Sequence, residues 1–537
     1  MKLEIKRIDH FGIVAGIIKD LEIVKTIDDL LGRQKEEEIS HGEAIAGMIL
    51  NGLHFISKPL MLTPKFFENI PLEQLIRDGI TPEHFNRHKL GRVLDNVAGY
   101  GTEKLFGQIA LKACSIEKIN MKFAHADTTS YSLTGEYDSD SDTEKLLITH
   151  GHSKDMRPDL KQVMQELITS QDGGIPFATK AWSGNASDSV ILRERAIKLM
   201  DEFKKSDSHC FVADSKLFCE KTAETLDKIN FITRVPSSIN LEKATIKLAL
   251  EKDGSWIVIS DEYKMQEFPT ELYNISDQRW IVIFSKHAKE RSEKTLKKEI
   301  EKESQNLEGA LHKLQAQRFF CETDAKKELK SIAKKFKYHQ VSEGKTVALK
   351  YFSKRGRPSE NAKVEYEWQI IGQSTFNQAY FEQALNQRSC FVLATNIASE
   401  KLSMQEVLTA YKGQDKTEKG FAFLKSPEFF TSSLFLKKPS RIDGLLMIMV
   451  LSLLVYSIAQ RRIRNQLKAL GKKIPDQINK PTANPTARWI FQLFEGINYV
   501  SIYIKKTVEH SINGLNEIRE KIIRLLGDNV KKIYQVN

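Results

Sequence analysis

The chain has 537 residues, of which 41% are hydrophobic and 28% are charged, and its formal net charge is +11 at pH 7. This length is too great for one ordinary domain and predicts two to four domains. The basic balance favours a polyanionic partner, although mild basicity alone does not establish DNA binding, and five scattered cysteines without a CxxC pair argue against a zinc site or a disulfide framework.

Residues 1–118 are predicted to form a compact helical domain. Apolar residues recur at helical spacing from Ile13 to Leu31 and again from Ala44 to Phe55. Two interpretations stay open for this domain. It is either a helix-turn-helix module that recognises DNA ends or a plain helical dimerisation domain, since no basic recognition helix stands out.

Residues 119–236 change to a strand-rich pattern. The expected elements are strands at Met121 to Asp127, Val163 to Thr169 and Ile175 to Trp182, a helix from about Ser189 to Lys205, a strand ending at Asp214, a helix near residues 218–228 and a strand at Phe231 to Val235. The turn Gln171-Asp172-Gly173-Gly174 suits a tight hairpin between the second and third strands. Three antiparallel strands followed by alternating helices and strands are typical of an α/β fold.

Two aspartates follow apolar, strand-like runs. Asp127 comes after Phe123 to Ala126, and Asp214 comes after Phe211 to Ala213. We therefore expect both carboxylates to be exposed at strand edges.

Between Asp214 and the helical segment near residue 411, a strand-like part around Trp280 to Phe284 precedes a charge-dense segment from Lys286 to Lys337. Within that segment, leucines and isoleucines fall mostly at helical spacing, which predicts one amphipathic helix. Its charged residues are better interpreted as a solvated face than as a DNA contact.

Tyr411, Glu418 and Lys425 are each seven residues apart, close to two turns of helix, and Gln414 lies one turn before Glu418. We expect one helix to carry all four residues along one face. An acid on that face is placed to hold a metal ion, while its neighbours grip a polyanion.

The apolar segment from Gly444 to Ala459 carries no charge, but it is shorter than the about 20 residues that a membrane-spanning helix needs. We interpret it as a buried core helix and expect no membrane association. The basic residues Arg461, Arg462 and Arg464 fit either the flank of a membrane span or a core helix that emerges onto DNA.

The order of these features resembles the DDE transposases of bacterial insertion sequences, in the branch with the signature Y-x2-R-x3-E-x6-K (IS-four type). Tyr411, Glu418 and Lys425 match the signature, and Gln414 stands where arginine is usual. Further matching phrases are Asp127-Thr128-Thr129, Gly184 to Asp188, Ala213-Asp214-Ser215, Phe391 to Asn396 and the N-terminal stretch Ile8 to Leu31. Glutamine carries no charge, so the departure puts a phosphate clamp at residue 414 in question.

The resemblance implies an α/β fold with an RNase H-like catalytic core, a mixed sheet with flanking helices that places the first two acids on neighbouring strands. The expected division is an N-terminal helical domain at 1–118, the first part of the core at 119–236, an α+β insertion domain at 237–388, the second part of the core at 389–470 and a C-terminal helical region at 471–537.

The resemblance also implies a catalytic and metal-binding set of Asp127, Asp214 and Glu418, with Asp127 bridging two Mg²⁺ ions that Mn²⁺ can replace. Tyr411, Gln414 and Lys425 would contact DNA. The implied reaction is hydrolysis at the ends of the transposon, followed by attack of the freed 3′-hydroxyl on target DNA. The partners would be duplex DNA with terminal inverted repeats, target DNA and further copies of this chain.

Two alternatives remain: a DNA-binding regulator or inactive transposase remnant, for which Gln414 speaks, and a nuclease without strand transfer. The cysteines and the lack of an apolar leader lead us to expect a cytoplasmic, nucleoid-associated bacterial protein.

Three weaker signals are interpreted as structural. Asp138, Asp140 and Asp142 alternate like a calcium loop but lack its glycine and final glutamate. His125, His150 and His152 flank the first acid, but Mg²⁺ prefers oxygen donors. Arg355-Gly356-Arg357-Pro358 is interpreted as a mobile basic loop rather than a minor-groove contact.

Overall fold

A computed structural model describes residues 2–33, 36–55, 58–137, 146–202, 209–351, 364–426, 436–504 and 507–537. The fold is mixed α/β and divides into two compact units. The first unit comprises Met1–Thr233, Tyr273–Ser276 and Glu406–Asn537, and the second comprises Arg234–Leu272 and Asp277–Gln405. The calcium-like aspartates Asp138, Asp140 and Asp142 and the basic phrase from Arg355 to Pro358 lie outside the described residues.

The N-terminal part of the first unit is mainly helical, but it opens with a strand. Its elements are β1 (Lys2–Arg7), α1 (Phe11–Asp20), α2 (Ile23–Leu31), α3 (His41–Gly52), α4 (Thr63–Phe67), α5 (Leu72–Leu75), α6 (Arg87–Tyr100) and α7 (Thr102–Ile116). A capping box begins α3: the Ser40 hydroxyl accepts a hydrogen bond from the Glu43 amide at 3.1 Å, and the Glu43 carboxylate accepts one from the Ser40 amide at 2.8 Å. This exchange satisfies two amides that a helix start leaves unpaired.

The central sheet of the first unit carries both aspartates. Its elements are β2 (Phe123–Leu133), β3 (Lys161–Ser170), β4 (Pro176–Ser183), α8 (Asp188–Glu202), β5 (Cys210–Ala213), α9 (Ala223–Lys228) and β6 (Phe231–Arg234). Within this unit the strands lie in the order β4-β3-β2-β5-β6, with antiparallel pairing among β2, β3 and β4 and parallel pairing from β2 to β5 to β6. The β3–β4 turn needs its two glycines, since Gly173 and Gly174 have φ of 85° and 67°.

The second unit combines a small antiparallel sheet with long helices. Its elements are α10 (Asn240–Glu251), β7 (Ile257–Val258), β8 (Tyr263–Pro269), β9 (Arg279–Ser285), α11 (Lys286–Ala316), α12 (Glu322–Ala333), β10 (His339–Tyr351), β11 (Glu365–Phe376), α13 (Gln378–Arg388) and β12 (Cys390–Thr395). The amphipathic helix predicted in the charge-dense segment is confirmed as α11, whose buried residues are Leu296, Leu307, Leu311 and Leu314.

The C-terminal part of the first unit contains α14 (Met404–Lys412), α15 (Asp415–Leu424), α16 (Pro439–Ala469), β13 (Ile474–Pro475), β14 (Pro481–Thr482), α17 (Ala487–Leu493), β15 (Asn498–Ile504), β16 (Thr507–Asn513), α18 (Glu517–Leu526) and α19 (Asp528–Ile533). The predicted C-terminal helical region at 471–537 contains the helices α17, α18 and α19 but also the strands β13 to β16, which were not predicted. The hairpin β15–β16 adds to β1, so that the two ends of the chain share one antiparallel sheet.

The domain boundaries differ from the predicted ones in two ways. Residues 1–118 and 471–537 belong to the same compact unit as the strands that carry Asp127 and Asp214. The first unit resumes at Glu406 rather than near residue 389, because β12 pairs with β9 inside the second unit.

The apolar segment Gly444 to Ala459 lies in the middle of α16. This helix packs against α1, α3, α6, α7, α15, α17, α18 and β4, and a helix surrounded in this way is apolar on every side. It is the one described helix long and apolar enough to cross a membrane, but 83% of its most apolar window is buried in the fold. That burial accounts for its composition.

Candidate active site

The pairing of β2 with β5 brings Asp127 and Asp214 together. Ala126 pairs with Ala213 in parallel register, and each aspartate is the next residue along its strand direction. Asp214 follows the end of β5, as expected, whereas β2 continues past Asp127 to Leu133. Both aspartates are half-buried rather than exposed, since neighbouring elements cover this side of the sheet.

The prediction of one continuous helix through residues 411–425 is wrong. Tyr411 lies in the last turn of α14, and Glu418 lies in the first turns of α15. The helix is interrupted between them at Gly413-Gln414. A side chain at residue 413 would collide with the buried ring of His125, because an added Cβ would come within 2.8 Å of its Cε1 atom. The glycine lets the chain pass close to β2 at the break.

Two polar side chains fix α15 beside Asp127. The Gln414 amide nitrogen donates to the Ala126 carbonyl at 3.2 Å, and the Thr417 hydroxyl lies 2.7 Å from the Thr169 hydroxyl and 3.3 Å from the His125 carbonyl. Gln414 and Thr417 are both buried. These contacts anchor the residues just before Glu418 to β2, the strand that carries Asp127, and to β3. Glu418 itself is exposed next to them.

The charges of Asp214 and Glu418 both act on Asp127. The pKa of Asp127 is raised to about 6, mainly by burial, with smaller contributions from the negative charges of Asp214 and Glu418 and against the opposing effects of Lys154 and of the Thr128 amide. Burial also raises the pKa of Asp214, with a contribution from the charge of Asp188. Like charges that hinder each other's ionisation are typical of sites that receive a cation.

A cation, Lys154, and a fourth acid, Asp188, also lie at this site and were not predicted from the sequence. The Lys154 ammonium donates to the Thr128 carbonyl at 2.8 Å and to its hydroxyl at 2.7 Å, and it lies 3.2 Å from an Asp188 oxygen. The Thr128 hydroxyl in turn donates to Asp188 at 2.6 Å. Lys154 lies in a loop without regular spacing, so no pattern marks it, whereas Asp188 could have been singled out because it ends the phrase Gly184 to Asp188.

The expected DNA contacts Tyr411 and Lys425 flank the acids, but Lys425 already has a partner. Its ammonium lies 2.6 Å from an Asp155 oxygen and 5.6 Å from the centre of the Tyr131 ring. Tyr411 is half-buried. Gln414 differs from both, because it is 7% exposed and its amide nitrogen bonds to Ala126.

The three histidines near the first acid lie in different surroundings. His125 is fully buried, and burial lowers its pKa to about 4. His150 and His152 are exposed in the loop that follows. None of the three belongs to a metal-binding group within the described ranges.

The donor set suits a hard divalent cation, but the acids are not drawn together into a finished site. Across the described ranges, no three Asp, Glu, His or Cys side chains are close enough to hold a metal ion as they stand. Carboxylate oxygens are the ligands that Mg²⁺ prefers, and the mutual repulsion at Asp127 is what a cation would relieve. The residues therefore fit a divalent ion by chemistry, and binding would require Glu418 and the aspartates to close on it.

The basic run after the apolar helix is largely neutralised inside the fold. Arg461 bonds to Asp172 at 2.8 and 2.7 Å, and Arg462 bonds to Glu117 at 2.9 Å and to Asp20. Arg464 donates to the Pro485 backbone carbonyl at 2.8 Å and is the one residue of this run without a carboxylate partner in the described part of the chain.

Two family profiles match the sequence. One is a domain of unknown function, DUF4277, over residues 3–111, and the other is the Transposase DDE domain over residues 127–455, more than half of the chain. No curated protein matches the chain. One solved structure, the cryo-EM structure of piggyBac transposase synaptic complex with hairpin DNA, covers 92% of this chain and 82% of its own at 9% identity, but its TM-score of 0.34 does not establish a shared fold.

Proposed function

Because this chain belongs to the DDE transposase family, we propose that it cuts DNA at the ends of its own mobile element and joins those ends to target DNA, with Asp127, Asp214 and Glu418 as the catalytic carboxylates. The strand order β4-β3-β2-β5-β6 supports an RNase H-like core. The three matches to the signature at Tyr411, Glu418 and Lys425 favour the branch of IS-four type.

This proposal is supported by the pairing of β2 with β5 beside α15, which lets the charges of Asp214 and Glu418 act on Asp127. Asp127 and Asp214 follow paired residues of neighbouring strands, and α15 is anchored to the same strand so that the charge of Glu418 acts on Asp127. Placing like charges near one another raises the free energy of the ionised carboxylates. Such an arrangement is therefore not expected of acids that only solvate a surface.

Divalent ions are used generally by the family, and we propose Mg²⁺, with Mn²⁺ as a substitute, held by the three carboxylates. When bound, such ions lower the pKa of water and stabilise charge on a leaving oxygen. The chain's own part is to hold Asp127 and Asp214 on a rigid sheet and to deliver Glu418 from α15. Without bound ions, the positive charge of Lys154 balances part of the negative charge of Asp127 and Asp214.

We assign different roles to the three polar residues around Glu418. Lys425 would exchange its Asp155 partner for a phosphate near the cut, and Tyr411 would contact the DNA backbone or a base. Gln414 would act as a positioning residue, because its amide nitrogen holds the start of α15 to Ala126. In this role an uncharged side chain suffices, so the absence of arginine at residue 414 does not argue for an inactive remnant.

An assay with labelled duplexes that carry the DNA flanking the reading frame tests the proposal. With Mg²⁺ present, the full-length protein is expected to give cut and joined products. Cut products without joining would indicate a nuclease, and a shifted but uncut duplex would indicate a DNA-binding regulator; either result would overturn the proposed function. The protein is expected to work as a dimer or larger assembly, and mass measurement of the DNA complex tests this stoichiometry. We also expect it to act in the bacterial cytoplasm.

The variant Asp127→Asn is expected to bind the duplex but to leave it uncut. Asp261→Asn is the matched control, because it makes the same chemical change at an exposed residue of the second unit. Cleavage by Asp127→Asn at the rate of the unmodified protein would remove Asp127 from the mechanism.

A further inference from the structure

A basic groove lies between α15 and α16 in the first unit, and we call it the α15–α16 groove. It encloses about 580 Å³ and is lined from the β3–β4 turn, α15, the second half of α16 and the loop before α17. Its cationic lining residues are Lys416, Lys419, Arg461, Arg464 and Lys468, and its acidic ones are Asp172 and Asp415. The groove therefore carries a net charge of three positive units.

The two acids of the groove are already paired. Asp172 accepts two hydrogen bonds from Arg461, at 2.8 and 2.7 Å, and Asp415 accepts one from Lys419 at 2.6 Å. The remaining cations are Lys416, Arg464 and Lys468. Lys416 and Arg464 donate to the backbone carbonyls of Gln171 and Pro485, and none of the three has a carboxylate partner among the residues that the structure describes.

The uncompensated cations are held where their charge is costly. Burial lowers the pKa of Lys416, and the positive charges of Lys419 and Arg464 act in the same direction, against the larger opposing effects of Asp415 and Asp172. Burial likewise lowers the pKa of Arg464. A cluster of like charges that is partly withdrawn from water is stabilised when an anion enters it.

The groove and the acids lie on opposite sides of α15. Successive helical residues are about 100° apart, so Lys416 and Glu418 differ by about 200° around the helix axis. Lys416, Lys419, Gly420 and Phe423 line the groove. On the core side of α15, the buried residues Thr417 and Leu424 lie between the two faces. On the solvent side, Asp415 also lines the groove and is about 60° from Glu418 around the axis.

We propose that the α15–α16 groove binds the phosphate backbone of a DNA duplex at a place distinct from the bond that is cut. The three uncompensated cations match phosphodiester charge, and Asn465, Asn484 and Thr486 add neutral hydrogen-bonding groups to the lining. Contacts of this kind position DNA without reading its sequence. The inference rests on the proposed function in that it takes DNA as the partner, but it needs no catalysis.

The test is the salt dependence of duplex binding without Mg²⁺, measured by fluorescence anisotropy of a labelled duplex. The variant carrying Lys416→Gln, Arg464→Gln and Lys468→Gln is expected to reduce the slope of log Kobs against log salt by about 2 to 3, since each phosphate contact contributes about 0.9. At 0.15 M salt this corresponds to a loss of affinity of roughly 100-fold. Duplexes of unrelated sequence are expected to lose affinity equally.

A matched control separates this site from a general effect of net charge. It carries Lys243→Gln, Lys247→Gln and Lys252→Gln, which remove the same charge from exposed positions in and just after α10. An equal change of slope in both triple variants, or an unchanged slope in the groove variant, overturns the proposal.

A single substitution covers the case in which the groove variant fails to fold. Lys468→Gln changes an exposed side chain and is expected to reduce the slope by about 0.9; an unchanged slope again overturns the proposal. Failure of the proposed function is a different result, because it appears as missing cleavage and joining with Mg²⁺ while the salt slopes still differ between the two triple variants.

Discussion

Asp127 combines a catalytic assignment with a cost to stability. Its pKa is raised from the ordinary 3.8 to about 6, mainly by burial. A carboxyl group with a raised folded-state pKa stabilises the fold fully only below its unfolded pKa, and this stability is lost as pH rises through about 4 to 6. At neutral pH the ionised side chain therefore opposes folding.

Replacing Asp127 by asparagine is expected to stabilise the protein at pH 7.5 by up to about 3 kcal/mol, at 1.4 kcal/mol for each pKa unit. Asparagine keeps an oxygen that can accept the hydrogen bond from the Thr128 amide, now 2.7 Å long, and it stays uncharged. Urea unfolding at pH 7.5 and pH 4.5 measures the effect, which should shrink at the lower pH. Asp261→Asn, at an exposed residue, is the control. A loss of stability at pH 7.5 in Asp127→Asn would contradict the conclusion that the ionised Asp127 side chain opposes folding.

Gln414 illustrates a residue whose position gives it a role that the family signature does not suggest. Replacement by leucine keeps the volume but removes the hydrogen bond to the Ala126 carbonyl. Because that bond orients the start of α15, cleavage is expected to slow by about 10-fold, the equivalent of one hydrogen bond of about 1.4 kcal/mol. Duplex affinity should be unchanged.

The split between rate and affinity separates the two roles of Gln414. Loss of duplex affinity with an unchanged cleavage rate would show that this side chain contacts DNA and does not position α15. Gln414→Arg, which restores the usual residue and can still donate to Ala126, should retain cleavage.

At the scale of elements, the break between α14 and α15 decides where Glu418 lies. Spacing alone predicted one helix, since residues seven apart align on an ideal helix. At the break the chain passes close to His125, which is distant in sequence and occupies the space that a side chain at residue 413 would need. Local periodicity carries no information about such a contact, whereas strands β2 to β6 were predictable because each has its own apolar run and turn residues.

Gly413→Ala is expected to destabilise the protein and to reduce cleavage, because its Cβ would lie 2.8 Å from the His125 Cε1 atom and 3.0 Å from the Ala410 carbonyl oxygen. His125 is fully buried and has little room to move. Thermal melting and the cleavage rate measure the two effects. Gly107→Ala in α7 is the control: an added Cβ meets nothing within 4 Å there, so the substitution should stabilise the helix by up to about 1 kcal/mol. Equal behaviour of the two variants would refute this account of the break.

At the scale of the whole molecule, the first unit is built from both ends of the chain around α16. The strand β1 pairs with β15 in a register from Lys2 with Tyr503 to Arg7 with Asn498. Contacts across such a separation leave no mark in local sequence patterns, which explains why the C-terminal region was predicted to be helical. For the same reason, the position of Lys154 at the candidate site could not be predicted, because its partners Thr128 and Asp188 come from two other segments.

The core of this unit contains a histidine that should make it sensitive to acid. His10 is stacked on Phe491 with ring centres 4.5 Å apart, its Nε2 lies 3.0 Å from the Leu53 carbonyl oxygen, and burial lowers its pKa to about 3. The unfolded chain binds the proton near pH 6.5, so the free energy of unfolding falls as pH drops from 6.5 towards 3.

When the pH falls from 6.5 to 5, the free energy of unfolding of the variant His10→Phe is expected to decrease by about 2 kcal/mol less than that of the unmodified protein. The figure follows from about 1.4 kcal/mol for each pH unit. Loss of the hydrogen bond to Leu53 lowers stability by a similar amount at both pH values and leaves this difference unaffected. Urea unfolding at the two pH values provides the measurement. Parallel pH profiles for the two proteins would show that His10 is not kept neutral in the fold.

If the proposed function is correct, Asp127, Asp214 and Glu418 close on divalent ions when the protein engages DNA. Anomalous diffraction from crystals of the DNA complex grown with Mn²⁺ tests this directly. We expect manganese peaks between the three carboxylates, and we expect the Asp127→Asn complex to lack them. Carboxylates that stay apart in the DNA complex, or manganese bound elsewhere, would contradict the account.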